Sequence, residues 1–574
     1  MPNAVGLHPG EQYSPATGLI YVFNLIVGTG CLTLPAAFAA AGWSLSAAGI
    51  LLLALVSYMT TTWVVESMAC ANAINHWRRM KQLKKDTHHH LHHHPATTTT
   101  TTTTNTDTST ISNYHAHYRC TTNISTSTTT SPGPQDATNH HQLSPVTSIL
   151  RGQVADELVN RTLENAEADQ RTTDTSEDQE DHEEDSPLIT EGVIERTVGE
   201  YYAIQEQIEM GQMAALFYPK VWDKVFYVVL CIYLYGDLAI YEAAVAKSLR
   251  DSMCNYAPEN CTEALLDSDR CFVDSDFTRL DIYRLCAAGF IGVMGPFVFF
   301  NLTKTKYMQI VTSFTRWLAM GIMITWAIVQ LAENQGKGHP PPADVTKLPQ
   351  LFGVCVYSFM CHHSLPALIT PVSEKRSILK LLAADYLLIL MFYYLLAFTG
   401  IFTFAHLEDL YTLNFQPDRC KTGTDSNFVY SLQVFLLMFP VFTLSTNFPI
   451  IAITLRNNLK SLCLRENRRY SFFTSRCLFP LLAIIPPTLV GLATSDVEIL
   501  VGITGAYAGS FIQYVVPATL VYYARKMTLQ HIGMGVKNPF SAPLQHSAWL
   551  VVICIWAALC QVFVTLYLIE EYKA

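Results

Sequence analysis

Residues 24–35 read NLIVGTGCLTLP. The stretch lies inside the first long apolar run, where a membrane-spanning helix would continue unbroken, yet Gly28, Thr29, Gly30 and Pro35 each weaken a helix. In hydrocarbon every backbone N–H and C=O must be satisfied internally, so a break at mid-membrane depth survives only against protein or a polar cavity. The stretch therefore predicts a discontinuous first span. Amides freed there can hold a carboxylate, and freed carbonyls and hydroxyls can hold a cation.

The rest of the chain supplies the membrane that this reading needs. Half of the 574 residues are hydrophobic and 15% are charged, in a sequence that also carries a long polar segment. That mixture points to a polytopic membrane protein. Apolar runs lie at 17–40, 43–70, 222–248, 285–300, 309–331, 350–372, 380–404, 428–454, 477–494, 498–523 and 548–569, which gives eleven expected spans. They run on continuously rather than alternating with polar residues, so the fold class is all-α and not a barrel. The short run 285–300 and the run holding Pro486-Pro487 are expected to be kinked or shifted.

Lysine and arginine collect on one side, after the second span (Arg78, Arg79, Lys81, Lys84, Lys85) and in the loops holding Lys375, Arg376, Arg465, Arg468 and Arg525. The positive-inside tendency makes residues 1–16 a cytosolic amino terminus and, after an odd number of spans, the carboxyl terminus lumenal or extracellular. No cleavable signal peptide is expected, because the first span inserts itself. Cys254, Cys261, Cys271 and Cys420 then fall in lumenal loops, where one or two disulfides are expected with the pairing open. Asn260 begins a glycosylation sequon in the same region.

Residues 17–73 form spans 1 and 2, residues 211–574 form spans 3–11, and 74–210 separate them. The separating insertion passes through HHHLHHH at 88–94 and a threonine run at 97–104, then turns acidic in EDQEDHEED at 177–185. With few aromatics it cannot bury enough apolar surface to offset its ordering entropy, so a disordered cytosolic insertion is expected. The histidine run reads as a solvated repeat rather than a metal site, since no rigid support accompanies the imidazoles. The net charge of −10 comes substantially from this segment and says little about a partner. Glu184, Leu188 and Ile189 have the acidic-x-x-x-Leu-Leu/Ile form of a dileucine sorting motif, which cytosolic adaptor proteins read to route membrane proteins to endosomes and lysosomes.

A second break appears five spans after the first. Residues 351–372, LFGVCVYSFMCHHSLPALITPV, carry Gly353, Ser358, His362-His363, Pro366 and Pro371, too polar and interrupted for a lipid-facing helix. A five-span repeat whose halves each begin with a broken helix is the inverted-repeat plan of many secondary transporters. Asp237, at the centre of the third span, is costly there by about 2.5–3.5 kcal/mol. It is expected either to accept a proton or to pair with Arg316 of the fifth span. Glu242 and Asp385 lie closer to span ends and are expected to reach the interface. His362 is expected to be a hydrogen-bonded residue of the break or to titrate in an acidic lumen.

These residues carry a family resemblance. Asn24 to Gly30 followed by Leu34-Pro35 resembles the first-helix signature of the amino acid/auxin permease family, which includes the sodium-coupled neutral amino acid transporters. FMCHHSLP at 359–366 resembles its sixth-helix segment with one residue fewer between histidine and leucine; Tyr235-Gly236-Asp237 and GITGA at 502–506 fit its third and tenth spans. The resemblance covers most of the membrane domain but not the insertion. It implies eleven transmembrane helices, a LeuT-type 5+5 inverted repeat with broken first and sixth helices, and amino acid transport.

Under that reading Gly28, Thr29 and Gly30 present backbone to the substrate carboxylate, and Ser358 and Phe359 contact its amino and side-chain groups. Asn24 and Thr446, with Asp237, serve a coupling ion, Na+ or H+. The expected partners are an amino acid substrate and the lipid bilayer; no cofactor and no nucleic acid are expected. The sequence shows no nucleophile–base pair, zinc spacing or phosphate loop, so no enzyme is expected. The alternative is a non-transporting amino acid sensor or scaffold that signals through the insertion.

Overall fold

A computed structural model describes residues 12–92, 201–256, 265–300, 306–417, 426–464, 471–533 and 536–573. The chain divides into two compact units, Met1–Thr87 with Pro187–Ala574, and His88–Ser186. The described residues belong to the first unit except for 88–92, and the sorting motif Glu184, Leu188 and Ile189 lies outside them.

Among the described residues the fold is helical, with isolated bridges and no strand. The helices are α1 (Pro15–Ile26), α2 (Gly30–Ala41), α3 (Trp43–His92), α4 (Met210–Phe217), α5 (Lys220–Met253), α6 (Arg279–Met294), α7 (Lys306–Ala332), α8 (Leu348–Ser358) and α9 (Leu365–Ile369). They continue with α10 (Ile378–Thr403), α11 (Asn427–Cys463), α12 (Phe479–Ala493), α13 (Val497–His531) and α14 (Ser547–Lys573). Nine described helices are long and apolar enough to cross a membrane, and α1 with α2, bent by 56°, makes a tenth. The run 350–372, expected as a further span, is present as α8 and the five-residue α9 on either side of residues 359–364. Neither piece is long enough to span alone.

Local chemistry explains the ends. Ser14 caps α1 and Pro15 opens it, Thr278 and Asp281 form a capping box on α6, and Asp496 accepts the Ile499 N–H at 2.9 Å to start α13. Gly42 turns the chain between α2 and α3 at φ +88, with the backbone of Pro342 and Ala343 so close that a Cβ there would lie 2.7–2.8 Å away. Only glycine fits both demands. The run 285–300 is longer than expected, because α6 begins at Arg279 and a 3-10 turn, Gly295–Phe299, extends it. Pro486 and Pro487 lie inside α12, where the Thr488 hydroxyl donates to the Ile484 carbonyl at 2.9 Å.

The outer surface matches a bilayer rather than water. On α14 Val551, Ile555, Leu559, Val562 and Leu566 recur at helical spacing and are all more than half exposed. An unbroken apolar stripe of this kind is unfavourable in water and ordinary against lipid. The interior holds most of α2, α5, α8 and α13 and the buried stretch of α3 around Trp63. Gly353 of α8 meets the Gly502 carbonyl so closely that a Cβ would lie 2.1 Å from it, and Gly505 meets the Gly353 carbonyl in the same way at 2.0 Å. These contacts set the broken segment directly on α13, which itself carries two π-helical turns, Gly505–Gly509 and Phe511–Val515.

Candidate functional site

In an unbroken helix the Gly28 N–H would reach the Asn24 carbonyl; here it donates to Ile26 at 2.8 Å. The Asn24 carbonyl is thereby released, and the Arg316 guanidinium of α7 donates to it. Cys31 Sγ closes on the Gly28 carbonyl at 2.7 Å and the Thr33 hydroxyl on the Gly30 carbonyl at 3.1 Å. The break at 27–29 is thus a backbone opening stapled by side chains.

The second break has the same construction. Beyond Ser358 the helix ends in a tight turn, with Met360 N–H on the Tyr357 carbonyl at 3.2 Å, and helix resumes at Leu365-Pro366. The freed carbonyls find side-chain donors: Tyr393 of α10 donates to Ser358 at 2.7 Å and Ser57 of α3 to Phe359 at 3.3 Å. Tyr393 also lies 3.3 Å from the Ile26 carbonyl, so one hydroxyl joins both breaks.

The two broken segments run antiparallel and are fastened at each end. Tyr13, just before α1, forms a local parallel β-bridge with Val372, just after α9, and donates its N–H to Pro371 at 3.1 Å. At the other end Trp43 and Ser44 donate to Pro341 and Pro342 at 3.1 and 3.0 Å, and Asp344 donates to Ala41 at 2.8 Å. Midway, Gly30 packs on Ser358 so tightly that a Cβ would lie 2.6 Å from its Oγ and 2.7 Å from its Cα. The side near Gly28 is open, with nothing closer than 4.0 Å to a Cβ built there.

A polar wall surrounds this junction. The Thr60 hydroxyl of α3 lies 3.0 and 3.2 Å from carbonyls of its own helix and 2.9 Å from His362 Nε2, and Thr61 meets the same nitrogen at 3.2 Å. Tyr386 of α10 ties the Thr61 hydroxyl at 2.8 Å and Ser57 at 3.1 Å. On the opposite side Tyr357 donates to the Asp237 carboxylate and meets the Thr29 hydroxyl at 3.3 Å. Sequence reasoning missed Ser57, Thr60, Thr61, Tyr386 and Tyr393. The run Thr60-Thr61-Thr62 in mid-span was the signal for three of these positions' neighbourhood, whereas the two tyrosines carried none among 28.

The expected residues fall as follows. Gly28, Thr29, Gly30, Ser358 and Phe359 all lie at the junction, with Thr29, Ser358 and Phe359 almost fully buried. The Asn24 side-chain amide is buried with neither Nδ2 nor Oδ1 bonded. Thr446 donates to the Thr443 carbonyl at 2.8 Å within its own helix. The expected alternative of an Asp237–Arg316 ion pair is corrected: Asp237 takes the Tyr357 hydroxyl and Arg316 the Asn24 carbonyl, on different faces of the break. Glu242 and Asp385 are corrected as well. They do not reach the interface but are 0% and 1% exposed, Glu242 in the space left by Gly491 of α12.

Ion pairs close the ends of the bundle. Glu66 of α3 accepts Arg525 of α13 through both carboxylate oxygens, each at 2.7 Å, and also the Ala542 N–H at 2.9 Å. At the other end Arg250 of α5 joins Asp251 and Asp267, and Asp267 also accepts the Ser495 hydroxyl at 2.6 Å. Burial alone would raise the Asp267 pKa, but the Ser495 hydrogen bond and the Arg250 charge outweigh it and hold the carboxyl below its ordinary range. Beside this network Cys254 and Cys271 are disulfide-bonded, while Cys261, Cys420 and Asn260 lie outside the described residues.

The sequence is similar to those of known proteins. The model of the family described as transmembrane amino acid transporter protein matches residues 11–81 and 205–562, passing over the insertion. The chain is 42% identical to human transmembrane protein 104 over 97% of its own length and 96% of that protein. It is 41% identical to the transmembrane protein 104 homolog of Drosophila melanogaster over 99% of its length and all of that protein, and 28% identical to the Dictyostelium discoideum homolog over 99% and 100%. The family model, the near full-length relatives and the lipid-facing helices agree: the chain is a multi-pass integral membrane protein that belongs to the transmembrane amino acid transporter protein family, alongside the transmembrane protein 104 group.

Proposed function

We propose that the protein is a secondary-active amino acid transporter that works by alternating access around its two broken helices. The observation that carries this reading is the start-to-end fastening of 13–44 to 341–373, with both backbone openings meeting at Gly30 and Ser358. Two breaks related in this way are the first helices of the two repeats in an eleven-span LeuT-type 5+5 fold, with α8 and α9 together forming the sixth span. Gly28, Thr29 and Gly30 offer amides to the substrate carboxylate, and Ser358 and Phe359 face its amino and side-chain groups. The first, second, sixth and seventh spans rock against the rest. A sodium ion or a proton couples the cycle, with Asn24, Thr446 and Asp237 as the residues proposed to serve it.

The same reading makes the amino terminus cytosolic and the carboxyl terminus lumenal or extracellular, Asn260 glycosylated, and Glu184, Leu188 and Ile189 an adaptor-read address to endosomal or lysosomal membranes. Uptake of labelled amino acids into vesicles reconstituted with the full chain tests it. Saturable flux that Gly28→Val abolishes supports transport. Saturable binding without flux favours the second reading, a sensor or scaffold signalling through the insertion. One observation favours that reading: Asn72 of α3 holds the returning chain through Gln205 and Glu206 N–H bonds at 3.2 and 2.9 Å.

A further inference from the structure

Arg316 is 7% exposed, and among the described residues it has no carboxylate partner. A buried guanidinium is ordinarily neutralised by an acid, because its desolvation is costly. Here its hydrogen-bond partner is the Asn24 carbonyl, the oxygen that the helix break releases. The groups within electrostatic reach are the Cys31 thiol and the Tyr241 and Tyr393 hydroxyls. Beside it the Asn24 amide is buried and unbonded. The arrangement has parts of a monovalent-cation site, a carbonyl oxygen freed by the helix break and an unbonded amide oxygen on the same residue, with a side-chain cation already seated at the carbonyl.

We propose that Arg316 is a resident cation: its guanidinium fills with permanent charge the place beside the broken first helix where a coupling sodium ion would bind, so that the protein does not use sodium. The proposal rests on the transport reading for its coupling consequence, but the occupancy itself does not. A second unit charge at about 5 Å from the guanidinium, in an effective dielectric of about 20, loses roughly two to three orders of magnitude in affinity. That penalty removes sodium binding at physiological concentration. Lysine at this position would preserve the exclusion, whereas a neutral residue would lift it.

The test compares purified full-length protein in sodium chloride and in choline chloride at equal ionic strength. Thermal unfolding of the wild type is expected to be the same in both, Arg316→Ala is expected to gain a sodium-specific upward shift of several degrees, and Arg316→Lys to behave as wild type. Uptake by the wild type in vesicles is expected to change less than twofold when choline replaces sodium. A sodium-specific stabilisation of the wild type, or uptake that needs sodium, overturns the proposal while leaving transport intact. Failure of Arg316→Ala to gain a sodium response overturns it too, and Arg316→Gln replaces that variant should the alanine protein not fold. Absence of uptake in either salt, with the unfolding pattern as expected, refutes transport and supports the resident cation.

Discussion

Replacing Gly30 with alanine puts the junction of the two breaks under direct strain. The new methyl would sit 2.6 Å from Ser358 Oγ, 2.7 Å from Ser358 Cα and 3.0 Å from Ser358 N. Ordinary carbon contacts begin near 3.5 Å, so α2 and α8 must separate by roughly 0.7–1 Å. Two of the three atoms are backbone, and no rotamer change relieves them. The cost is about 1–3 kcal/mol, in the range of overpacked cores. Gly28→Ala is the control, since its nearest atom is 4.0 Å away, and it is expected to change stability by less than about 0.5 kcal/mol. Thermal unfolding of the full-length protein in detergent, with the two variants side by side, is the assay. Gly30→Ala is expected to melt several degrees lower than Gly28→Ala, and adding Ser358→Gly is expected not to rescue it, because the 2.7 Å overlap with Cα persists. Equal melting temperatures for the two single variants would refute the close approach of the broken segments.

Other outcomes follow from the ends of the bundle. Glu66→Ala strands a partly buried guanidinium and is expected to cost about 2–4 kcal/mol, whereas Glu66→Gln, which keeps an acceptor for the Ala542 N–H, costs less; chemical unfolding ranks them. Reduction of the Cys254–Cys271 bond, which closes a separation of 17 residues, is expected to remove about 3 kcal/mol and lower the melting temperature, with no such response in a Cys254→Ser/Cys271→Ser protein. Asp267 has its folded pKa below the unfolded value, so its stabilisation is present above the ordinary carboxylate range and is lost as pH falls through the folded value. Melting curves at neutral pH and below about pH 4 are expected to show a smaller acid-induced drop for Asp267→Asn than for wild type.

The fold was legible where the chemistry of the backbone is local. Gly28, Gly30, Pro366 and Pro371 weaken helices whatever surrounds them, so both breaks could be read from residues alone. The side chains that occupy the freed carbonyls could not. Tyr393, Ser57 and Arg316 reach the breaks from other helices, and nothing in their own neighbourhoods distinguishes them from other polar residues in apolar runs. The same limit explains Glu242 and Asp385. A position near the end of an apolar run predicts an interfacial carboxylate only if the helix stops there; α5 extends to Met253, and Gly491 of a distant helix leaves room for Glu242 inside. Asp237 and Arg316 carry opposite charges at similar depth, which suggested pairing, but Tyr357 and the Asn24 carbonyl were the partners that geometry brought closer.

The 50-residue α3 is about 75 Å long, more than twice the roughly 30 Å of bilayer hydrocarbon, and Gln205 and Glu206 of the returning chain are pinned back onto it at Asn72 and Arg79. Departure and return share one rod. The buried part of that rod holds Ser57, Thr60 and Thr61 against the second break. The residues that hold the returning chain and those that line the second break thus belong to one helix, and a displacement of that helix along its axis is felt at both.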